Sequence, residues 1–418
     1  MEQLKSYLSR QRFIGKVLIL GSGSDVTDLS FYLEHGRKAS GVAVCGERDV
    51  DALRQMVAAS GIDTLIFMRE WTEIVCQLAD SPLRYLIGRL QAQDDYFSLW
   101  ERYREQTEHI YLARERDRRV RQGRDVARYE VLSWDKTASP TELSVIIPVY
   151  NVRAYLGKCL ESLTAWQASY VEYLFVDDGS TDGSAEVIDS YAQNDKRIRL
   201  IRKENGGCAS ARNCGLREAQ GRYVGFVDAD DFVDREMFHK LLARAMMGGY
   251  ELAYCGYQEY DTETGSAVKV VNDCLQEPYL TGSYRPDQVQ RLMIRTRVAI
   301  WRCIYKRAFL TENNLTFHEK LARFDDLPFK IESGFLAKSA VCVPEHLYYY
   351  RLGRPGQDVA CTDERLFVHF AIFRLLDQAV LPGKDQRLID YLQVVKLYTH
   401  GYALAKIDRK YYAQYLRK

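Results

Sequence analysis

The stretch Val224 to Asp234 reads VGFVDADDFVD, an apolar run that predicts a buried strand leading straight into Asp228, Asp230, Asp231 and Asp234. Carboxylates crowded at the end of a buried strand repel one another, so a turn, a helix cap or a cation has to offset that repulsion. Asp234 precedes the helical pattern REMFHKLLARAMM and reads as its N-cap. Asp228 and Asp230 have no helix directly after them and flank a small alanine. At D-x-D spacing they form a hard, oxygen-rich pair suited to Mg²⁺ or Mn²⁺ shared with a diphosphate, and a tight turn accounts for the same residues equally well. Asp231 lies between the two tasks, with no role assigned to it.

A second set of acids shifts that balance. Asp177 and Asp178 end the apolar run in YLFVDDGSTDG, which predicts a strand neighbouring the first. Two acidic strand ends side by side need donors or cations between them, and a nucleoside diphosphate supplies both. Its base offers N–H donors to Asp177 and Asp178, and its metal-bound pyrophosphate suits Asp228 and Asp230. The plainer reading of Asp177 and Asp178 is a turn and a helix cap, but Ser180, Thr181 and Asp182 already provide that chemistry.

These side chains require a framework that brings strand ends together. LSVIIPVYN reads as a strand broken at Pro148, and YLGKCLESLTAW as the helix after it. YLFVDD and GSAEVIDSYAQN repeat the pair, and IRLIRKENGG leads into the helix CASARNCGLREAQG, with Gly221 as its stop. Alternating strands and helices predict a parallel α/β sheet with its carboxyl ends on one edge, where open sheets bind ligands. Residues 13 to 90 show the same rhythm in KVLIL, ASGVAVCG and IDTLIFM, which predicts a small Rossmann-like α/β unit. Gly21 and Gly23 begin a dinucleotide fingerprint whose third glycine position holds Val26. Between the two regions, LWERYREQTEHIYLARERDRRVRQGRDVAR interleaves acids and arginines and predicts a solvated connecting helix, followed by a linker in SWDKTASPTE.

Composition bounds the function. The chain has 418 residues, room for two or three domains. Lys plus Arg is 58 and Asp plus Glu is 57, a net charge of +1 that gives no global field for nucleic acid or an anionic membrane. The 29 tyrosines suit a protein that handles sugars and bases, although ordinary core and surface tyrosines account for most of them. Ten cysteines without a CxxC pair, behind an N-terminus lacking a secretory apolar region, read as reduced cytosolic thiols. No apolar run is long enough to cross a bilayer.

LSVIIPVYNVRAYLGKCLESL, LFVDDGSTDGS, NGGCASARNCGL and VGFVDADD, in that order, resemble the motifs of the family 2 glycosyltransferases. The likeness covers about Leu143 to Tyr260, and continues more loosely through AIWRCIYKRAFLTENNLTF, ARFDDLPF and VPEHLYYYR. It implies a GT-A fold with a mixed, mostly parallel sheet, using a nucleotide-diphosphate sugar, UDP as the nucleotide, and divalent Mn²⁺ or Mg²⁺. On this reading residues 1–95 form the Rossmann-like domain and 96–140 the charged helical linker. Residues 141–352 form the GT-A domain, with a nucleotide half at 141–255 and an acceptor half at 256–352, and 353–418 a helical tail.

The resemblance implies roles residue by residue. Pro148 and Tyr150 border the nucleotide, Asp178 with Asp177 accepts from the base, and Arg212 reaches the nucleotide. Asp230 coordinates the metal directly, with Asp228 at the ribose or in the metal shell. Asp326 is the implied base that takes the acceptor proton, against a competing reading as the N-cap before Leu327-Pro328. Asp325 replaces the family's more common Glu, and Cys303 stands where relatives often carry lysine. Trp301 reads either as a wall for a sugar ring or as core. Arg351 and Arg354, in YYYRLGRPGQDV, read either as a mobile clamp on the leaving diphosphate or as a plain surface loop.

The implied activity is an inverting transfer of a sugar to a hydroxyl of a glycan or lipid-linked acceptor in bacterial surface polysaccharide assembly. It would take place in the cytoplasm or peripherally at the inner face of the membrane. Two other classes are weighed against it. They are an NAD(P)-dependent oxidoreductase built on the N-terminal unit, and a non-catalytic module that binds nucleotide sugars. The apolar stripes of the tail leave open core packing, a homo-oligomer contact or a peripheral membrane contact.

Overall fold

KVLIL, the first continuous apolar run, is strand β1 (Lys16–Leu20) in the computed structural model, with Val17 to Leu20 fully buried. Residues buried on both faces of a parallel sheet have no reason to alternate, which is why the run is unbroken. The structure describes residues 2–10, 15–36, 38–46, 48–78, 83–89, 95–121, 124–135, 141–271, 296–321, 323–354, 357, 361–379 and 386–418. The chain divides into two units, Met1–Pro140 with Met246–Gly249, and Thr141–Ala245 with Tyr250–Lys418.

In the first unit β1 is joined by β2 (Gly41–Cys45), β3 (Thr64–Phe67), β4 (Leu83–Arg89), β5 (Thr107–Arg121) and β6 (Arg124–Asp135). The order is β2-β1-β3-β4-β5-β6, parallel throughout except between β5 and β6. That is a doubly wound sheet in the flavodoxin-like order. Val26 is buried, and a Cβ placed on Gly21 would sit 2.8 Å from its Cγ2. Valine therefore fills the space beside the first glycine of the partial fingerprint.

The charged stretch corrects the helical linker expected over 96–140. A helix does span Asp95–Tyr103, with Leu99, Trp100 and Tyr103 buried at helical spacing, but the chain then turns into the β5–β6 hairpin. Ile110 pairs with Trp134 and Leu112 with Leu132, and all four are buried. Tyr111 and Ala113 are buried as well, so the start of β5 is a short continuous apolar run, and the dense charges around it hid that strand signal. Of the linker expected at residues 133–142, Ser133–Asp135 belong to β6, and residues 136–140 lie outside the described residues.

The second unit carries β7 (Leu143–Val149), β8 (Val171–Asp177), β9 (Ile198–Arg202), β10 (Tyr223–Phe226), β11 (Phe232–Val233), β12 (Leu252–Asp261), β13 (Ser266–Val271), β14 (Cys303–Lys306) and β15 (Ala340–Leu352). Their order is β11-β15-β12-β14-β10-β7-β8-β9, with β13 on β12. β10, β7, β8 and β9 run parallel, joined across β7, β8 and β9 by helices Arg153–Thr164 and Ser184–Ala192, so their carboxyl ends share an edge. Antiparallel β14 couples β10 to β12, and β15 runs parallel to β12.

Gly221 does not serve as the stop of helix Cys208–Glu218, which ends earlier on an extended Ala219. It is needed because a Cβ there would run into the backbone of Leu143 and Ser144. The tail folds onto the sheet-bearing unit. Ile372, Phe373, Leu376 and Leu392 pack with Leu321, Leu327, Ile331 and Phe335. Each fully buried side chain of this kind contributes about 2 kcal/mol. Among the described residues no helix is long and apolar enough to cross a membrane.

Candidate active site

Parallel register places the acidic strand ends together. Val149 lies opposite Asp177 across β7 and β8, and the Asp178 N–H donates to the Val149 carbonyl at 2.9 Å. β10 lies on the other side of β7, where the Val227 N–H donates to the Ile146 carbonyl at 3.1 Å and delivers Asp228 to the same edge. β7 is not broken at Pro148, which stays in register opposite Val176, but runs on to Val149, and Tyr150 stands just beyond it, 53% exposed.

At the β8 end both acids are buried and satisfied by the protein. Asp177 accepts from the Ser180 N–H at 3.2 Å. Asp178 accepts from Lys203 Nζ at 2.5 Å, from the Gly206 N–H at 3.0 Å and from the Gly207 N–H at 2.7 Å. Gly207 has φ +87°, the left-handed region that glycine enters without penalty, and it aims its N–H back at the strand end as helix Cys208–Glu218 begins. Asp178 thus ties the NGG loop to the sheet. Sequence reading missed Lys203, whose only signal was a basic residue beside that loop.

The β10 end is built differently. Arg212, on helix Cys208–Glu218, is buried and donates at 2.7 Å both to Asp228 Oδ1 and to Asp325 Oδ2. Its guanidinium stands 5.3 Å from the centre of the Phe317 ring. Asp230 is paired with Arg354 through the arginine Nε. Burial, and then the charge of Asp228, raise the Asp230 carboxyl above the usual carboxylate range. Asp231 is also raised, first by burial and then by Asp230 and Asp228.

Asp231 acquires a task. It accepts from Tyr348 Oη at 2.7 Å and from the Arg351 N–H at 2.7 Å, which fastens the turn after β10 to β15. Tyr348 Oη also accepts from the Asp228 N–H at 3.3 Å. Asp234 accepts from the Glu236 N–H at 2.9 Å, within the turn that leads to helix Met237–Gly248.

Asp326 opens helix Asp326–Leu336, and Asp325 precedes it without a side-chain capping bond. The half-buried Asp326 carboxyl makes no ion pair among the described residues, and the N-cap position falls to Asp325, which leaves the competing N-cap reading of Asp326 without support. Burial, then the Asp325 charge, push it up to about 7, against the lowering effect of Arg212. Just before the pair, Phe324 has φ +54°, rare for a bulky side chain. Its ring packs against both apolar clusters of the tail and lies 5.2 Å from that of His369. The tail helices thereby hold the turn that delivers Asp325 and Asp326.

The other named residues separate from this group. Trp301 is buried and stacks on Tyr348 and Tyr350, with ring centres 4.1 and 5.4 Å away, which gives the core reading. Arg351 is not the free cation of a mobile clamp. It is buried, donates from Nε to the Asp230 carbonyl at 2.6 Å, and stands over the rings of Tyr155, Phe232 and Tyr260. Arg354 does reach the acids, and residues 355–356 and 358–360 of the proposed loop lie outside the described residues.

Among the described residues no three His, Cys, Asp or Glu side chains form a metal cage. Asp228 and Asp230 nonetheless fit a divalent cation that takes its remaining oxygens from a ligand. They are hard donors, and burial with the charge of Asp228 pushes the Asp230 carboxyl up even with Arg354 against it, which fits a site where a cation would offset negative charge.

A mixed, mostly parallel sheet with this acidic carboxyl edge defines a protein of the GT-A type. The family model described as Glycosyl transferase family 2 matches residues 144–312, and the chain belongs to that family. It is 34% identical over 212 residues to "Uncharacterized glycosyltransferase EpsJ" of Bacillus subtilis (strain 168), spanning 50% of this chain and 60% of that protein's length. It is 31% identical over 186 residues to "Putative teichuronic acid biosynthesis glycosyltransferase TuaG" of the same strain, covering 40% of this chain and 73% of the relative. The solved structure of S. aureus TarS 1-349 in complex with UDP-GlcNAc has a TM-score of 0.55 at 21% identity, over 66% of this chain and 79% of that one, a likeness of fold.

Proposed function

We propose that the chain is an inverting, metal-dependent glycosyltransferase that moves a sugar from a UDP-sugar to a hydroxyl of a glycan or lipid-linked acceptor. The observation that carries this reading is Asp326, without an ion pair among the described residues, half-buried and pushed up to about 7, beside the Arg212 network that joins both acidic segments. A base whose pKa lies near the working pH combines a useful unprotonated fraction with the strength to take a proton.

In this reading Asp326 accepts the acceptor hydroxyl proton as that oxygen attacks the anomeric carbon. The bond from that carbon to the phosphate oxygen breaks on the opposite face, and the nucleoside diphosphate leaves. Asp177 and Asp178, with Pro148 and Tyr150, hold the nucleoside, since a carboxylate has lone pairs left after the bonds observed here. Arg212 fixes Asp228 and Asp325 and brings positive charge to the diphosphate. A divalent cation, Mn²⁺ or Mg²⁺, held by Asp228 and Asp230 would neutralise charge on the leaving diphosphate.

Residues 141–352 are proposed as the catalytic domain, with the unit of residues 1–140 a separate module. The likeness to TuaG, a putative teichuronic acid biosynthesis glycosyltransferase, and to the TarS complex with UDP-GlcNAc supports a UDP-sugar and a place in bacterial surface polysaccharide assembly. The accompanying location is the cytoplasm or the inner face of the membrane. The oxidoreductase reading loses ground because Val26 stands, against Gly21, where the fingerprint places a glycine for close helix–strand packing.

A screen of nucleotide sugars by thermal melting and donor hydrolysis, with and without Mn²⁺, tests the proposal. A donor at about 100 times its Kd adds about 2.7 kcal/mol of stability, enough for a clear shift. UDP-sugars are expected to give that shift, and no response to any nucleoside diphosphate at any Mn²⁺ concentration would overturn the assignment.

A further inference from the structure

The last two helices, Gln386–Lys406 and Arg409–Leu416, bury one side in the apolar clusters through Leu392, Ala403, Ile407 and Tyr415. Their other side is also apolar. Val394, Leu397, Tyr398 and Tyr402 recur at helical spacing and are exposed, Leu397 by 74% and Tyr398 by 76%. Tyr412 and Leu416 continue the exposed set on the final helix. A helix facing water normally carries charge there, so an apolar stripe on the open face calls for a cover.

The charge of the same segment indicates which cover. Residues 386–418 hold seven Lys and Arg against two Asp, while the whole chain is balanced at +1. Arg409, Lys410 and Arg417 are exposed around the stripe, and Lys406 donates to Tyr402 Oη at 2.8 Å. Tyrosine suits the boundary between hydrocarbon and water because its ring is apolar and its tip polar. A second copy of the chain would set one basic segment against another, whereas anionic headgroups offset the charge as the stripe is buried.

We propose that this face docks on an anionic lipid surface, the helices lying on the bilayer and not across it. The inference does not depend on the donor or on the base. It is tested by co-sedimenting the full chain with vesicles of phosphatidylcholine alone and of phosphatidylcholine with phosphatidylglycerol at about 70:30, since a surface with more anionic lipid attracts basic segments more strongly. The protein is expected to pellet with the mixed vesicles and to be released by salt.

Two paired variants are compared, Leu397→Asp with Tyr398→Asp, and Arg409→Glu with Lys410→Glu. Each pair is expected to lower partitioning about tenfold or more. If the apolar pair melts early, the charge-reversal pair, wholly on the surface, decides. Failure to pellet with the mixed vesicles, or pelleting unchanged by the charge reversal, overturns the proposal. So does a wild-type dimer in sedimentation equilibrium that the Leu397→Asp, Tyr398→Asp pair converts to monomer.

Discussion

The two acidic strand ends of the sheet-bearing unit look alike in sequence, VDDGS at β8 and VDADD at β10, and the protein treats them in opposite ways. At β8 the protein's own donors meet the charge, with two glycine N–H groups and Lys203 converging on Asp178. At β10 the burial of Asp230 and Asp231 and the neighbouring charge of Asp228 push both carboxyls above their ordinary pKa, even with Arg354 against Asp230. The difference teaches that a cluster of acids is not one kind of feature. One end is finished as structure and leaves lone pairs for a ligand's donors, while the other keeps a charge that a cation would relieve.

The largest expected effect lies beyond both ends, at the base that depends on their arrangement. Asp326→Asn should lower turnover by about 10²- to 10⁴-fold while leaving the calorimetric affinity for donor intact. The wild-type rate should fall as pH drops through about 7, because protonation removes the base, and the variant should lose that inflection. The linked stability runs the other way. A carboxyl raised in the folded state favours folding fully below its unfolded value and loses that contribution as pH rises through about 7. The melting temperature of the variant relative to wild type should therefore improve as pH rises from about 4 to about 7 and level off above that.

Next come the paired substitutions that set one end against the other. Asp230→Asn should weaken Mn²⁺-dependent UDP binding by roughly 100-fold. At neutral pH it should also relieve buried repulsion and hold or raise the melting temperature of the free protein. Asp178→Asn should destabilise the fold by about 1–3 kcal/mol, because it gives up charge-assisted bonds to buried donors. Equal thermal behaviour of the two variants would break the comparison. The smallest effect is expected at Phe324→Ala, where loss of the anchor to the tail should lower kcat several-fold with little change in donor KM, and Phe324→Tyr should largely restore it.

Much of this was legible in the sequence because strand ends and their acids are local features. Asp178, Asp228 and Asp230 could be singled out from apolar runs and spacing, and Arg212 and Asp326 from the resemblance to the family's motifs. The partners that decide what these acids do were not legible. Tyr348 and the Arg351 N–H reach Asp231 across more than 100 residues of chain through the register of β15, which no local pattern encodes. Arg351 was misplaced for the same reason, because a basic residue near a glycine-rich loop reads as exposed until its aromatic neighbours are known. The hairpin of β5 and β6 was lost to dense charge, with Ile110, Leu112, Leu132 and Trp134 too few to outweigh it.

The most direct test of the central claim is calorimetric binding of uridine and of UDP, each with and without Mn²⁺. If the β8 end receives the nucleoside and the β10 end receives diphosphate with a cation, Mn²⁺ should tighten UDP binding strongly and leave uridine binding unchanged. An equal Mn²⁺ effect on both ligands, or none on UDP, would contradict that division of labour.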